Sequence, residues 1–377
     1  MLIKNAQVFT AENRFTKLDI SFDTHIREIG HIAKPEDLDA EGCYLIPGLI
    51  DVHTHGAVGC DSSDGDPEGL RRLSAYYASH GVTSFCAATM TLPEEALLRA
   101  MRCIRDFRRE EQGARCAGVY LEGPFLSAAK RGAQAPDHLL PPDTGLLHRL
   151  NEASGHRVKL VGVAPERPGA MAFMKEASRV CAVSLAHTEA DYDTAMRAYE
   201  SGASQVTHLF NAMNGLHHRK PGVIGAAFDS GAYAELICDG IHIHPSVVRM
   251  AFRLFGDKLL LISDSMRGAG MPDGTYDLGG QMTTITDGKA VLPDGALAGS
   301  SIHLLKAVHN AIAFGIPPEA AIPAATITPA KAIGMDTETG SLSVGKQADM
   351  LLLDSRFQLV STIINGKVIH NHEVSGI

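Results

Sequence analysis

Between about residue 47 and about residue 330 the chain repeats one pattern eight times: a short apolar segment of strand length, then a stretch with apolar residues at helical spacing. The apolar segments are LIPGLIDVHTH, GVTSFCAATM, CAGVYLEGPF, VKLVGVAPE, CAVSLAHT, SQVTHLFNAM, AYAELICDGIH and KLLLISDS. The stretches between them include PEGLRRLSAYYASH, EEALLRAMRCIRDFRRE, DYDTAMRAYESG and PSVVRMAFRLF. Several of these stop at Gly, the residue that most easily takes the left-handed turn closing a helix. Eight strand-then-helix units predict a closed parallel barrel. An open doubly wound sheet is the alternative, but no Gly-rich dinucleotide turn follows the first strand to favour it.

The flanks have another texture. LIKNAQVFT and KLDISFDTHIREIG alternate apolar and polar residues in short runs, and so do GSLSVGKQADMLLLD and LVSTIINGKVIH at the other end. Both read as strands of a half-buried sheet, and neither flank has enough apolar surface to stand alone. The expected fold is therefore α/β. A (β/α)8 TIM-like barrel spans residues 47–333, and a small β-sandwich domain is built from residues 1–46 and 334–377. The run MPDGTYDLGGQMTTITDGKAVLPDG, with its repeated D-G turns, reads as hairpins elaborating the barrel mouth.

The chemistry collects at the strand ends. The first barrel segment closes IDVHTHG, where Asp51, His53 and His55 share one parity and so are expected on one face. A single histidine there would read as a satisfied core residue; two, after an apolar strand, can grip one metal ion. The third segment ends in Glu122, the fifth in His187 and the sixth in His208. The seventh gives Asp239 and His242, and the eighth gives Asp264. Six of eight strands thus deliver an ionisable residue where barrel enzymes build their sites. Such groups are costly to bury unless they are paired or hold a metal. Histidine with carboxylate suits zinc, iron, manganese or cobalt. A bound ion of this kind acidifies water and polarises a carbonyl, and a free carboxylate beside it can carry the proton.

Composition narrows the partners. A net charge of −9 gives no support for nucleic acid or an anionic membrane surface. An anionic substrate must therefore be held by a local basic cluster, and LHHRKP is the most basic short stretch near the site segments. Seven scattered cysteines with no C-x-x-C spacing suggest reduced thiols in a cytoplasm. The start, MLIKNAQVFT, lacks the pattern of a secretory signal, and no apolar run approaches the roughly 20 residues of a membrane span.

Taken in order, PGLIDVHTHG, LEGPF, LAHT, THLFNAM, HHRKPG, DGIH, SDSMRGAGMPDG and GSLSVGKQADMLLLD resemble the amidohydrolase superfamily. Within it they resemble the N-acetylglucosamine-6-phosphate deacetylases, and the likeness runs over essentially the whole chain. The first and last motifs identify only the superfamily; LEGPF, HLFNAM, and DGIH with SDSM are narrower. The resemblance implies deacetylation of an amino-sugar 6-phosphate with one or two divalent ions per chain. Glu122, His187 and His208 would hold the principal ion, and His53 and His55, with Glu122, a second. Glu122 would take the bridging role that a modified lysine plays in many relatives, since Lys159 stands at the wrong end of the fourth strand. Asp264 would be the general base and later the acid, and His242 would bond the acetamide or sugar. Ala133, Asn211, the backbone of Ala212, His218 and Arg219 would meet substrate, the last two at the phosphate and reaching across a homodimer interface.

Two positions depart from the pattern. Tyr120 stands where His often precedes LEGP, and Lys220 where Glu often follows the Arg. Both leave the galactosamine epimer open as substrate. A non-catalytic barrel kept as a binding module is the more distant alternative, and the complete set of ligands and Asp264 counts against it.

Overall fold

The computed structural model describes residues 1–108, 110 and 112–371. Eight strands pair in parallel, each with its neighbours in the chain: Leu49–Thr54, Val82–Thr89, Arg115–Phe125, Val158–Val163, Ala182–Leu185, Gln205–Val206, Tyr233–Ile237 and Leu259–Ile262. These are the first to eighth barrel strands. No ladder joins the eighth to the first, but the ring is drawn together at their ends. There the Asp264 N–H donates to the His53 carbonyl and the His55 N–H to the Ser265 carbonyl, both at 2.9 Å. The fold is a (β/α)8 barrel with a separate sheet of terminal strands.

The outer helices form where the sequence supplies both a cap and a stripe. Asp66, Asp143 and Asp191 accept first-turn backbone N–H groups of helices Pro67–Ser79, Thr144–Ala153 and Tyr192–Glu200. Each such cap is worth about 1 kcal/mol. Helix Pro245–Phe255 buries Val248, Ala251, Phe252 and Phe255, the spacing of one helical face. The segment EEALLRAMRCIRDFRRE is helical only over Glu94–Asp106. Phe107 turns extended (φ −57°, ψ 127°) and packs against the main core instead of continuing the helix. Arg109, in the same segment, lies outside the described residues.

The first apolar segment is two strands rather than one. Tyr44–Pro47 pairs with Leu2–Phe9 on one side and Met350–Leu353 on the other, in the terminal sheet. The chain then crosses into the barrel at Gly48. A Cβ there would lie 2.3 Å from the Thr83 side chain, so only glycine lets the backbone pass that close. The terminal sheet runs in the order Lys367–Asn371, Leu359–Ile364, Met350–Leu353, Tyr44–Pro47, Leu2–Phe9, Phe15–Phe22, Ile26–Gly30, with Leu38–Asp39 also on Leu2–Phe9. Residues 372–377, expected in the same domain, lie outside the described residues. Pro47 still belongs to this sheet, while Met335 packs with the barrel interior.

A buried cluster of Ile50, Val52, Tyr120, Leu160 and Leu260 fills the barrel, and Ala330, Ile333 and Met335 join it. Three antiparallel strands follow the eighth barrel strand: Gly274–Leu278, Gln281–Thr286 and Lys289–Val291. They are joined by two-residue turns, Gly279-Gly280 and Asp287-Gly288, whose φ angles are all positive, as tight hairpins require.

Candidate active site and metal centre

The fifth, sixth and eighth strands each stop two residues short of His187, His208 and Asp264. These three residues adopt left-handed backbone conformations, with φ of 46°, 28° and 47°. A side chain in that region costs about 1–3 kcal/mol, and such strain persists where the surroundings hold it in place. The turn swings each residue out of the sheet and over the barrel mouth, which a straight strand end would not do. Phe210 and Ala212, at φ of 76° and 51°, continue the contorted loop after His208.

Two groups of ligand-type atoms meet there, His53 with His55 and Asp264, and Glu122 with His187 and His208, all six residues buried. Glu122 lies between them. Its Oε1 is 3.0 Å from His187 Nε2, 3.1 Å from His208 Nε2 and 3.5 Å from His53 Nε2. Its Oε2 is 3.3 Å from His55 Nε2. Asp264 Oδ1 lies 3.4 Å from His53 Nε2 and 3.3 Å from His55 Nε2.

The hydrogen bonds on the far side of the rings show what these atoms offer. His187 Nδ1 is 2.9 Å from the Lys130 carbonyl, which can only accept, so Nδ1 carries the proton. His53 Nδ1 is likewise 2.9 Å from Glu235 Oε2. In the neutral rings both Nε2 atoms then present lone pairs, and they face carboxylate oxygens that also present lone pairs. His187 Nε2 and His208 Nε2 are only 3.1 Å apart, and His53 Nε2 and His55 Nε2 3.3 Å. Only positive charge between such atoms makes this arrangement favourable. The donor set thus fits divalent ions held by histidine and carboxylate.

Burial alone would lower His53, but Asp264, Glu235 and Glu122 raise its pKa to about 9. Burial would raise Glu122, yet His187, His53 and His208 hold it well below the ordinary carboxylate range. Burial also opposes ionisation of Asp264, which the His53 and His55 rings keep on the low side.

A cavity of about 370 Å³ opens over these groups, within the range of small-molecule sites. His55, Glu122, His187, His208, His242 and Asp264 line it, as do Ala133, Asn211 and Ala212. Leu278 and Ala298, from the hairpin region, form part of its wall. A larger cavity of about 770 Å³ beside His80 and His303 includes none of the ligand residues. His242 Nδ1 faces Asp239 Oδ2 at 2.7 Å, and its Nε2 faces the Ala298 carbonyl at 2.8 Å. Burial would lower this imidazole, but Asp239 above all raises it. With acceptors at both nitrogens, the ring is set up to carry two protons.

Four residues singled out in the sequence lie outside this cavity. His218 and Arg219 are exposed, with Arg219 Nη1 2.6 Å from His218 Nε2, and neither lines the cavity of its own chain. Asp51 does not join His53 and His55. The register with the second strand shifts between Asp51 and Thr54, and the Asp51 carboxylate accepts from the backbone N–H groups of Ser263 and His53. Tyr120 is wholly buried beneath the site, its ring edge-on to His53 at 4.7 Å. It does not line the cavity, and its hydroxyl lies 2.5 Å from Thr207 Oγ1.

Two residues absent from the sequence reading stand against the ligands. Gln134 accepts the Thr91 N–H through Oε1 (2.7 Å), which turns its Nε2 to donate to Glu122 Oε2. Glu235 holds His53 from within the seventh strand. A glutamate in the middle of AYAELI was the one available signal for it. Gln134 left none, because it comes from a loop twelve residues past Glu122.

Comparison with known proteins places the chain in a family. Residues 44–369 match the Amidohydrolase family. The chain is 36% identical to N-acetylglucosamine-6-phosphate deacetylase of Lysinibacillus sphaericus, over 98% of this chain and 97% of that protein. It is 35% identical to N-acetylgalactosamine-6-phosphate deacetylase of Escherichia coli O157:H7, over 88% of each. Among solved structures it resembles a mutant N-acetyl-D-glucosamine-6-phosphate deacetylase of Mycobacterium smegmatis in complex with N-acetyl-D-glucosamine-6-phosphate. That match has a TM-score of 0.91 and 30% identity, and covers 98% of this chain and 99% of the other.

Proposed function

The chain belongs to the amidohydrolase family, and from that premise we propose that it hydrolyses N-acetylglucosamine 6-phosphate to glucosamine 6-phosphate and acetate. The observation that carries the reading is the convergence of two histidine–carboxylate groups on a small cavity walled by Asp264 and His242. One or two divalent ions (zinc, iron, manganese or cobalt) held there would supply Lewis acidity toward the acetamide. Glu122, His187 and His208 would hold one, and His53 and His55, sharing Glu122, the other.

The remaining work falls to the chain's own groups. Asp264 is the base that takes a proton from the attacking water. It then returns that proton to the amine nitrogen as the carbon–nitrogen bond breaks. His242 donates from Nε2 to a substrate oxygen, exchanging the Ala298 carbonyl for it. Asn211, the Ala212 backbone and Ala133 contact the sugar phosphate from the cavity wall.

The same cavity lacks a dense cationic patch: of its lining residues only Lys130 is a lysine or arginine. We therefore assign the phosphate to His218 and Arg219 of a second copy of the chain in a homodimer. The exposed Leu216, next to the basic stretch in the chain, supports a contact face there. A cytoplasmic setting is supported by seven unpaired cysteines, and among the described residues no helix is long and apolar enough to cross a membrane.

The galactosamine epimer is the second reading, favoured by the 35% identity to an enzyme named for it. The test is acetate release from N-acetylglucosamine 6-phosphate by metal-stripped protein before and after divalent metal is restored. Release that appears only with metal supports the proposal; no release in either state sinks it.

A further inference from the structure

Glu235 is a carboxylate in the middle of an apolar strand, 0% exposed, between the fully buried Ala234 and Leu236. Burying such a charge costs several kcal/mol unless partners compensate it. Its Oε2 accepts from His53 Nδ1 at 2.9 Å and from the His208 N–H at 3.3 Å, while its Oε1 has no hydrogen-bond partner. Glu235 therefore touches one member of each ligand group: a ring in one, a backbone in the other. The His53 ring also packs against the Tyr120 ring, with the centroids 4.7 Å apart and the planes at 85°. The carboxylate fixes which nitrogen bears the proton, and Tyr120 fixes the plane. Together they aim His53 Nε2 at His55, Glu122 and Asp264.

We propose that Glu235 is a positioning residue for the second metal position, the one at His53 and His55 with Glu122. The proposal rests on the metal centre described above and not on the identity of the substrate. The ring bond is the shorter and more direct contact, so losing Glu235 should weaken the second ion selectively. The Glu122–His187–His208 ion should be far less affected, because His208 is touched only at its backbone. A carboxylate kept merely to hold the barrel together would show no such selectivity.

The experiment is a zinc titration of metal-stripped protein against a competing chelator, with bound zinc per chain counted by elemental analysis. Wild type, Glu235→Gln and Glu235→Leu are compared. Glutamine keeps the shape and can still accept from His53 Nδ1; leucine removes the acceptor. The expected result is two ions in wild type. The second should bind roughly 10- to 100-fold more weakly in Glu235→Leu and less so in Glu235→Gln, with the first nearly unchanged. Four outcomes overturn the proposal: one ion at most in wild type, both ions retained at full affinity in both variants, equal weakening of the two ions, or loss of the fold in the glutamine variant by circular dichroism. Because zinc counting involves no sugar, failure of the substrate reading would leave this result untouched.

Discussion

At the scale of single residues, proton transfer falls to Asp264 and the donor role to His242. Replacing Asp264 by Asn keeps the side-chain volume but removes the base. We expect kcat to fall about 10²- to 10⁴-fold while Glu122, His187 and His208 still hold metal. Undiminished turnover with intact metal content would refute the assignment. For His242 the sign follows from Asp239, whose carboxylate outweighs burial and keeps the imidazole protonated above its ordinary range. Activity that needs the protonated ring should fall as pH rises through that raised value. Asp239→Asn removes the support, so the alkaline limb of the kcat/KM profile should move to lower pH; an unmoved limb contradicts the role. The ligand-type residues were legible in the sequence because charged groups after apolar runs stand out. Their partners were less so. Gln134 meets Glu122 only through the loop's course, and the parity of Asp51 with the histidines was broken by a register shift that no alternation pattern reveals.

At the scale of elements, the site depends on how closely strands approach one another. A Cβ on Gly162, in the fourth strand, would lie 2.4 Å from the Glu122 carbonyl oxygen of the third. Gly162→Ala must push those strands apart just where Glu122 is held. Overpacking of this kind costs about 1–3 kcal/mol, so we expect a lower thermal midpoint together with reduced metal content. An alanine variant with unchanged metal binding would show that Glu122 tolerates the displacement. Periodicity made the strands and helices readable, and helix Pro245–Phe255 follows its apolar stripe from end to end. It could not show that Gly48 divides one apolar run between two sheets, since that depends on Thr83, a residue distant in the chain. Nor could it show the left-handed turns at His187, His208 and Asp264. Non-glycine residues rarely adopt that conformation, and here the site's geometry imposes it.

At the scale of the whole molecule, eight repeated strand–helix units sufficed to predict the barrel, and the alternating flanks sufficed to predict a second sheet. Placing His218 and Arg219 was harder, because the loop that carries them lies outside the cavity of its own chain. If a second copy brings them to the phosphate, Arg219→Ala should raise KM for the phosphorylated sugar at least tenfold with a smaller change in kcat. Sedimentation should also show wild type as a dimer at assay concentration; a fully active monomer would exclude the shared site. The central claim is tested most directly by kcat/KM for acetate release from three sugars, with metal counted on the same sample. The sugars are N-acetylglucosamine 6-phosphate, its galactosamine epimer and unphosphorylated N-acetylglucosamine. A clear preference for the first and a large loss without the phosphate are expected. Bound metal with no acetate from any of the three would contradict the claim.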